Sequence, residues 1–398
     1  MPTEPDSKRA LSLVMKLLTI PGPSGSEARI IRFICDRFVR AGLTASHLTT
    51  DNAHHRSHLD GETGNLIVRL PGTMRGPRRL LMAHVDTVPL CVGSKPIRRG
   101  NLIRSADRTT ALGADNRSGV AAVLHAGLEI LRRGLPHPPL TLLFLVQEEV
   151  GLVGSRNLAI SRLGRPTLAF NFDSGPVDIL ITGATGAYRI LMDIEGIASH
   201  AGVHPEDGAN AIVIAAKAIA SLEANGWLGR IVKAKKQGTA NIGVIQGGNA
   251  TNVVTPLVTV RIEARSHDAQ FRRRILDTIV RHFEKAARSV KTTSGRFGRV
   301  RVESRLDYES FHISGHEPSV QIAKAAIRSL GMDPICTTVD GGLDANWLTA
   351  KGIPTVTLGA GQHHAHTVDE VLDTNEFLQG CRVALHLATG TEDVTSKA

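Results

Sequence analysis

The sequence predicts an α/β protein with a mixed, largely parallel sheet and helices on both faces, interrupted by an inserted α+β domain. Two observations carry this. First, several apolar runs are too short for helices and too continuous for half-exposed strands. Leu142–Val146 and the TLAFNF stretch ending at Phe172 are such runs, and a strand buried on both faces of a parallel sheet reads this way. Second, the pattern changes between residues 184 and 310, where the predicted elements follow the β-α-β-β-α-β order of a ferredoxin-like unit. From residue 311 the first pattern resumes. A discontinuous larger domain is therefore expected over 1–183 and 311–398, with an insertion over 184–310.

In chain order, residues 7–18 and 26–42 read as helices, with Ser26 placed to cap the second. DNAHHRSHLDGETG, residues 51–64, is a polar loop holding His54, His55 and His58. Such loop histidines, without a buried acid or cysteine beside them, read as solvated. NLIVRL and RRLLMAHV are strands, and Asn116–Leu131 is a helix of small and apolar residues. TLLFLV and TLAFNF are the next buried strands. Within the insertion, AYRILMDIEG, ANIGVIQGG, VVTPLVTVRIEARS and RFGRVRVESRLDYES read as strands; GANAIVIAAKAIASLEA and AQFRRRILDTIVRHFEKAARS read as helices. Val258, Val260, Ile262 and Ala264 alternate with Thr259, Arg261, Glu263 and Arg265, as in a sheet with one covered and one open face. HEPSVQIAKAAIRSLG, GIPTVTLGAG and NEFLQGCRVALHLA then give helix, strand and helix.

Composition narrows the function. The 398 residues are 42% hydrophobic but only 4% aromatic, so the cores must be aliphatic and there is material for two. Four scattered cysteines without a CxxC pair argue against both a disulfide scaffold and a thiolate metal site, and suit a reducing, cytoplasmic setting. The amino-terminal MPTEPDSKRA lacks the apolar segment of a signal peptide, and no apolar run approaches the ~20 residues of a membrane span. The net charge of +10 is spread along the chain, without the aromatic or zinc-finger signatures of nucleic-acid binding.

The chemistry gathers at strand ends. Glu148 and Glu149 close the Leu142–Val146 run. Two adjacent carboxylates there are costly unless a cation holds them, and on extended chain they point opposite ways, free to do different jobs. His84 ends an earlier strand, with Asp86 two residues on. That spacing suits a carboxylate fixing the tautomer of a metal-bound imidazole, though Asp86 has other contacts open to it. Asp115 precedes a helix, as an ordinary N-cap or as a bridge between two ions. Asp173 closes TLAFNF, and GAGQHHAH brings three histidines to a fourth strand end. Sites in open α/β sheets form at such carboxyl ends.

Taken together, AHVDTVP, LGADNRSGVAA, QEEVGLVGS, FDSG, SHAGVHPEDGANAI, NVV, EARSHD, GGLDAN and GAGQHHAHTVDE resemble the M20 family of dinuclear zinc peptidases, most of all its peptidase T (tripeptidase) branch. The resemblance implies a zinc-exopeptidase-like catalytic domain with an inserted lid and dimerisation domain, two Zn²⁺ per chain (Co²⁺ or Mn²⁺ fitting the same ligands), short peptide substrates and a homodimer. It implies that His84 and Asp173 hold one ion and Glu149 and His366 the other, with Asp115 bridging. His366 is chosen over His363 and His364 because it stands four residues before Glu370, matching the family's H-x-x-x-E. Glu148 falls on the general base and Asp86 on the partner of the first histidine. His200, Asn252 and Arg265 fall on substrate-contacting positions of the small domain. The chain departs from the family at Asn116, where many relatives have a second acid, and at Gln147, where threonine is common. The same metals would serve a hydrolase of N-acyl or N-succinyl amino acids; an inactive metal-binding scaffold is the remote third reading.

Overall fold

The computed structural model describes residues 4–390. The chain divides into two compact units. One runs up to Gly183 and takes in His312–Val339 and the stretch from Leu343; the other is Ala184–Phe311 with Asp340–Gly342.

The larger unit is built on a mixed sheet. Seven of the sheet's nine strands lie in the order Leu48–Thr50, Leu66–Leu70, Leu140–Leu145, Arg79–His84, Leu168–Phe172, Thr355–Leu358, Ile179–Ala184. The four from Leu140–Leu145 to Thr355–Leu358 are mutually parallel, and the flanking pairings are antiparallel. Every residue of those four strands is buried, so helices must cover both faces, as their unbroken apolar pattern predicts. Ala114–Arg133, Pro318–Arg328, Asp344–Ala350 and Thr374–Thr389 pack against them. Because the four strands are parallel, their carboxyl ends share one edge.

The Ala114–Arg133 helix is set close against that edge. Gly113, at φ 84°, turns the chain into it. A Cβ on Gly119 would stand 2.0 Å from the carbonyl oxygen of Phe172, so only glycine permits this approach. The second predicted helix begins later than expected, as Ala28–Arg40, and Ser26 does not cap it. Ser26 is exposed and its backbone amide donates to Pro23 instead. The buried Glu27 side chain turns inward and accepts from the amides of Gly25 and Gln147 at 2.8 and 3.1 Å.

The smaller unit is an antiparallel sheet in the order Gly229–Lys233, Lys236–Gly247, Leu257–Ser266, Gly186–Glu195, Arg299–Tyr308. Helices Ala211–Ala224 and Ala269–Ser289 pack against it. Val258, Val260, Ile262 and Ala264 are in the core with Ile214, Ile275 and Phe283, while the alternating polar residues are not. The four predicted strands take ferredoxin-like neighbours. Gly229–Lys233 is an added edge strand, paired through a hairpin whose turn residues Ala234 and Lys235 have positive φ. Among the described residues no helix is long and apolar enough to cross a membrane.

Candidate metal centre

The shared strand edge collects the ionisable groups. His84 is the last residue of its strand; Glu148, Glu149 and Asp173 follow theirs. Asp115 arrives from the first turn of the Ala114–Arg133 helix, where its backbone is not yet helical. His366 arrives from the loop between the paired segments Gln362–His363 and Val371–Asp373, in a left-handed conformation at φ 65°.

Two groups result, and they share Asp115. In one, His84 Nε2 lies 3.2 Å from Asp115 Oδ1 and 3.4 Å from Asp173 Oδ1. In the other, His366 Nε2 lies 3.3 Å from Asp115 Oδ2 and 2.9 Å from Glu149 Oε2. Within each trio one donor atom from every residue falls within 4.8 Å of the others, and His84, Glu148 and Glu149 form a third such set. His363 is turned away, 2.7 Å from Glu376 Oε2, and His364 is exposed.

Fully buried Asp86 organises two of these elements. It accepts from the amides of Glu148 at 3.0 Å and Glu149 at 3.2 Å, and from the Ser24 hydroxyl at 2.7 Å. His84 Nδ1 lies 3.4 Å from its Oδ1. Asp86 thus holds the turn carrying the glutamates through its carboxylate, and the histidine ring through its backbone carbonyl, 3.2 Å from Nδ1, with the carboxylate alongside. That turn enters through Gln147, at φ 55°, whose side chain accepts from Ser57 of the His-rich loop. Glu370, buried beneath Asp115, accepts from the amides of Gly113 at 2.6 Å and Asp115 at 2.8 Å. Asn116 donates to the Phe172 carbonyl at 2.7 Å and accepts from Gly119, joining helix to strand end; an ionised acid could not make the first bond.

The electrostatics reveal what this donor set needs. Burial raises Glu148 well above the usual carboxylate range; His84 opposes this, and the charges of Asp173, Glu149 and Asp344 add to it. Burial likewise raises Glu149 and Asp173. Asp115 is held low, because hydrogen bonds from His366 and His84 outweigh its burial. His366 is pushed up to about 10 by its bonds to Asp115 and Glu149. His84 stands well above its ordinary value, the surrounding aspartates overcoming its complete burial. Protons on imidazole thus serve as the cluster's cations, and a divalent ion competes for the same nitrogens and oxygens. The imidazole and carboxylate set, without thiolate, fits zinc and its neighbours in the first transition row.

Two buried residues here escaped the sequence reading. Asp344, inside GGLDAN, is fully buried and neither oxygen has a well-formed hydrogen bond among the described residues; burial lifts it to about 7, against the nearby Ser155 hydroxyl and the charge of His84. Arg117, one residue past Asn116, is fully buried and faces the charges of Asp86 and Glu27. The first reads locally as a helix cap and the second as a surface arginine, so only packing exposes them.

His200, Asn252 and Arg265 all lie in the smaller unit. His200 bridges to Val253, and the Ala201 amide donates to Asn252. His200 and Asn252 are exposed. Arg265 donates to Glu263 at 3.1 Å and to the Asp340 carbonyl at 3.2 Å. Leu257 pairs with Glu195 and Arg265 with Ala187. Asn252 precedes one end of this strand and Arg265 stands near the other, eight residues or about 26 Å along it from Leu257.

An α/β fold with an acid- and histidine-rich set at its strand ends suits a metal-dependent enzyme, and the comparisons give the class. The model of peptidase family M20/M25/M40 matches residues 80–390. YqjE of Bacillus subtilis, itself uncharacterized, is 32% identical over 376 residues, covering 94% of this chain and 96% of that protein. The crystal structure of a tripeptidase from Staphylococcus aureus superposes with a TM-score of 0.87 at 30% identity, covering 98% of this chain and all of that one. That of aminopeptidase PepT from Bacillus cereus gives 0.83 at 31% identity with the same coverage. The chain belongs to peptidase family M20/M25/M40. It is a peptidase T-like metallopeptidase, as its motifs imply.

Proposed function

We propose that the chain is a dinuclear zinc exopeptidase that hydrolyses short peptides. The observation that carries this is the division of Asp115, with one oxygen toward His84 and the other toward His366. His84 and Asp173 would hold one ion and Glu149 and His366 the other, with Asp115 shared between them. A bound divalent pair would supply Lewis acidity to the scissile carbonyl and acidity to the attacking water, lowering its pKa from 15.7 toward about 7. Co²⁺ or Mn²⁺ suits the same donors.

The remaining chemistry belongs to the chain. Glu148 accepts a proton from the attacking water and returns it to the leaving amine. Asp86 keeps the His84 ring and the Glu148 amide in register. In the smaller unit, His200 and Asn252 contact the substrate's reacting end, and Arg265 its carboxylate. Because His200 and Arg265 stand toward opposite ends of one sheet, they are suited to serve different sites. This favours a homodimer, formed through the inserted unit, in which His200 acts across the subunits. A cytoplasmic peptidase without nucleic-acid or membrane partners is the setting. The tripeptidase and PepT likenesses support short peptides as substrates.

The test joins metal content to specificity. Elemental analysis of gently purified protein is expected to give two ions per chain, and a panel should show tripeptides cleaved faster than dipeptides and N-acyl amino acids. Glu148→Ala should lower kcat by about 10²–10⁴-fold with both ions retained. Metal loss in that variant would show that Glu148 is a ligand. Preference for N-acyl or N-succinyl substrates would replace the peptidase reading with that of a deacylase.

A further inference from the structure

Within the larger unit, a second cleft lies among the helices Ser7–Leu18, Ala28–Arg40 and Ala114–Arg133. Its volume is about 350 Å³. Leu13 and Leu128 form an apolar floor. The walls carry Arg9, Lys16, Arg37, Arg132 and His125, and among the described residues no carboxylate lines it. Helical spacing explains the convergence. Arg9, Leu13 and Lys16 stand at i, i+4 and i+7 on the first helix; His125, Leu128 and Arg132 stand at i, i+3 and i+7 on the third.

Beneath the cleft lies an unmet hydrogen-bonding group. His125 is 1% exposed, and its Nε2 has no hydrogen-bond partner among the described residues. A buried polar atom without a partner asks for a ligand or an ordered molecule. Of the acids nearby, Asp6 pairs with Arg9 Nε at 3.0 Å on the exposed side and neutralises part of that guanidinium, and Glu129 pairs with Arg133 at 3.1 Å. Lys16, Arg37 and Arg132 sit in the last turns of their helices, where cations suit the helix dipole. That accounts for each charge singly. It does not account for three such ends meeting Arg9 and a buried imidazole around one cavity.

We infer that this cleft binds a compact phosphate-bearing anion, held by the guanidinium groups of Arg9, Arg37 and Arg132 and the ammonium of Lys16. Planar guanidinium forks match phosphate oxygens bidentately, and two or more negative charges are needed to offset this many cations. The ligand is a free diphosphate or an organic diphosphate ester.

Calorimetric titration of the metal-loaded enzyme with pyrophosphate, and separately with adenosine diphosphate, tests the assignment. One saturable site is expected. Arg9→Gln/Arg132→Gln should weaken it at least tenfold, with circular dichroism and peptidase activity retained. Arg273→Gln/Arg274→Gln, which removes equal charge from the other unit, should not. Metal content measured after titration checks that no ion has been stripped. Binding of both probes places the diphosphate group as the recognised element; binding of pyrophosphate alone restricts the site to the free anion. The inference fails if neither probe saturates, if both double variants weaken binding equally, or if the cleft variant binds as wild type.

Discussion

Asp115 gives one carboxylate oxygen to each of two histidines, Oδ1 to His84 at 3.2 Å and Oδ2 to His366 at 3.3 Å. The two imidazoles come from segments 282 residues apart (366 − 84). Their meeting at one side chain shapes the centre and generates most of what can be tested.

Asp115→Ala should lower the occupancy of both metal positions together, because each loses an oxygen. Glu370→Ala should lower metal affinity by about 10–100-fold without removing any ligand, since Glu370 only holds the amides of Gly113 and Asp115. Equilibrium dialysis with zinc reads both. Retention of two tightly held ions by Asp115→Ala would rule out bridging.

The choice among the three histidines of QHHAH is tested by paired substitutions. His366→Ala should reduce metal content; His363→Ala, which loses only its contact with Glu376, should not. If His363→Ala is the damaging change, the second ion is held in another register.

Metal-free protein should lose stability as pH rises from about 6.5 to about 10. His366 has its folded pKa raised from 6.5 to about 10, so the stability it contributes is complete below the lower value and is lost as pH passes through the upper one. Melting temperatures of the metal-free enzyme, recorded over this range, should fall more steeply for wild type than for His366→Ala. Equal slopes would mean that the imidazole is not the group responsible. Added zinc should flatten the wild-type curve, since the metal replaces the proton.

His200→Ala should keep both ions and the fold and lose mainly kcat, the behaviour of a contact made in the transition state. Mixed with Glu148→Ala, it should regain activity, because a hybrid dimer then contains one intact site. Absence of regain, with subunit exchange demonstrated, would place His200 in its own chain's site.

Much of this architecture is legible in local pattern. Leu142–Val146 reads as a doubly buried strand because apolar residues occupy both of its faces, and the sheet buries both. The alternation from Val258 to Arg265 announces one covered face, and the helices cover one. What local pattern misses is short or made by pairing: Gly229–Lys233 joins its partner through a turn of ordinary residues, Ala234 and Lys235, and Gln362–His363 and Val371–Asp373 are too brief to carry a period. Ser26 was a plausible cap by type, but the burial of Glu27 moved the helix start.

The sequence by itself determined that hard and imidazole donors would stand at strand ends, because residue type and strand periodicity are properties of neighbours in the chain. Only the tertiary structure decided which oxygen faces which nitrogen, that Asp86 holds the glutamate turn as well as His84, and that Glu370 supports Asp115 from below. Those relations join residues tens to hundreds of positions apart. Parallel pairing of four strands brings them to a common edge, and burial there makes each unpaired charge costly enough to require its partner.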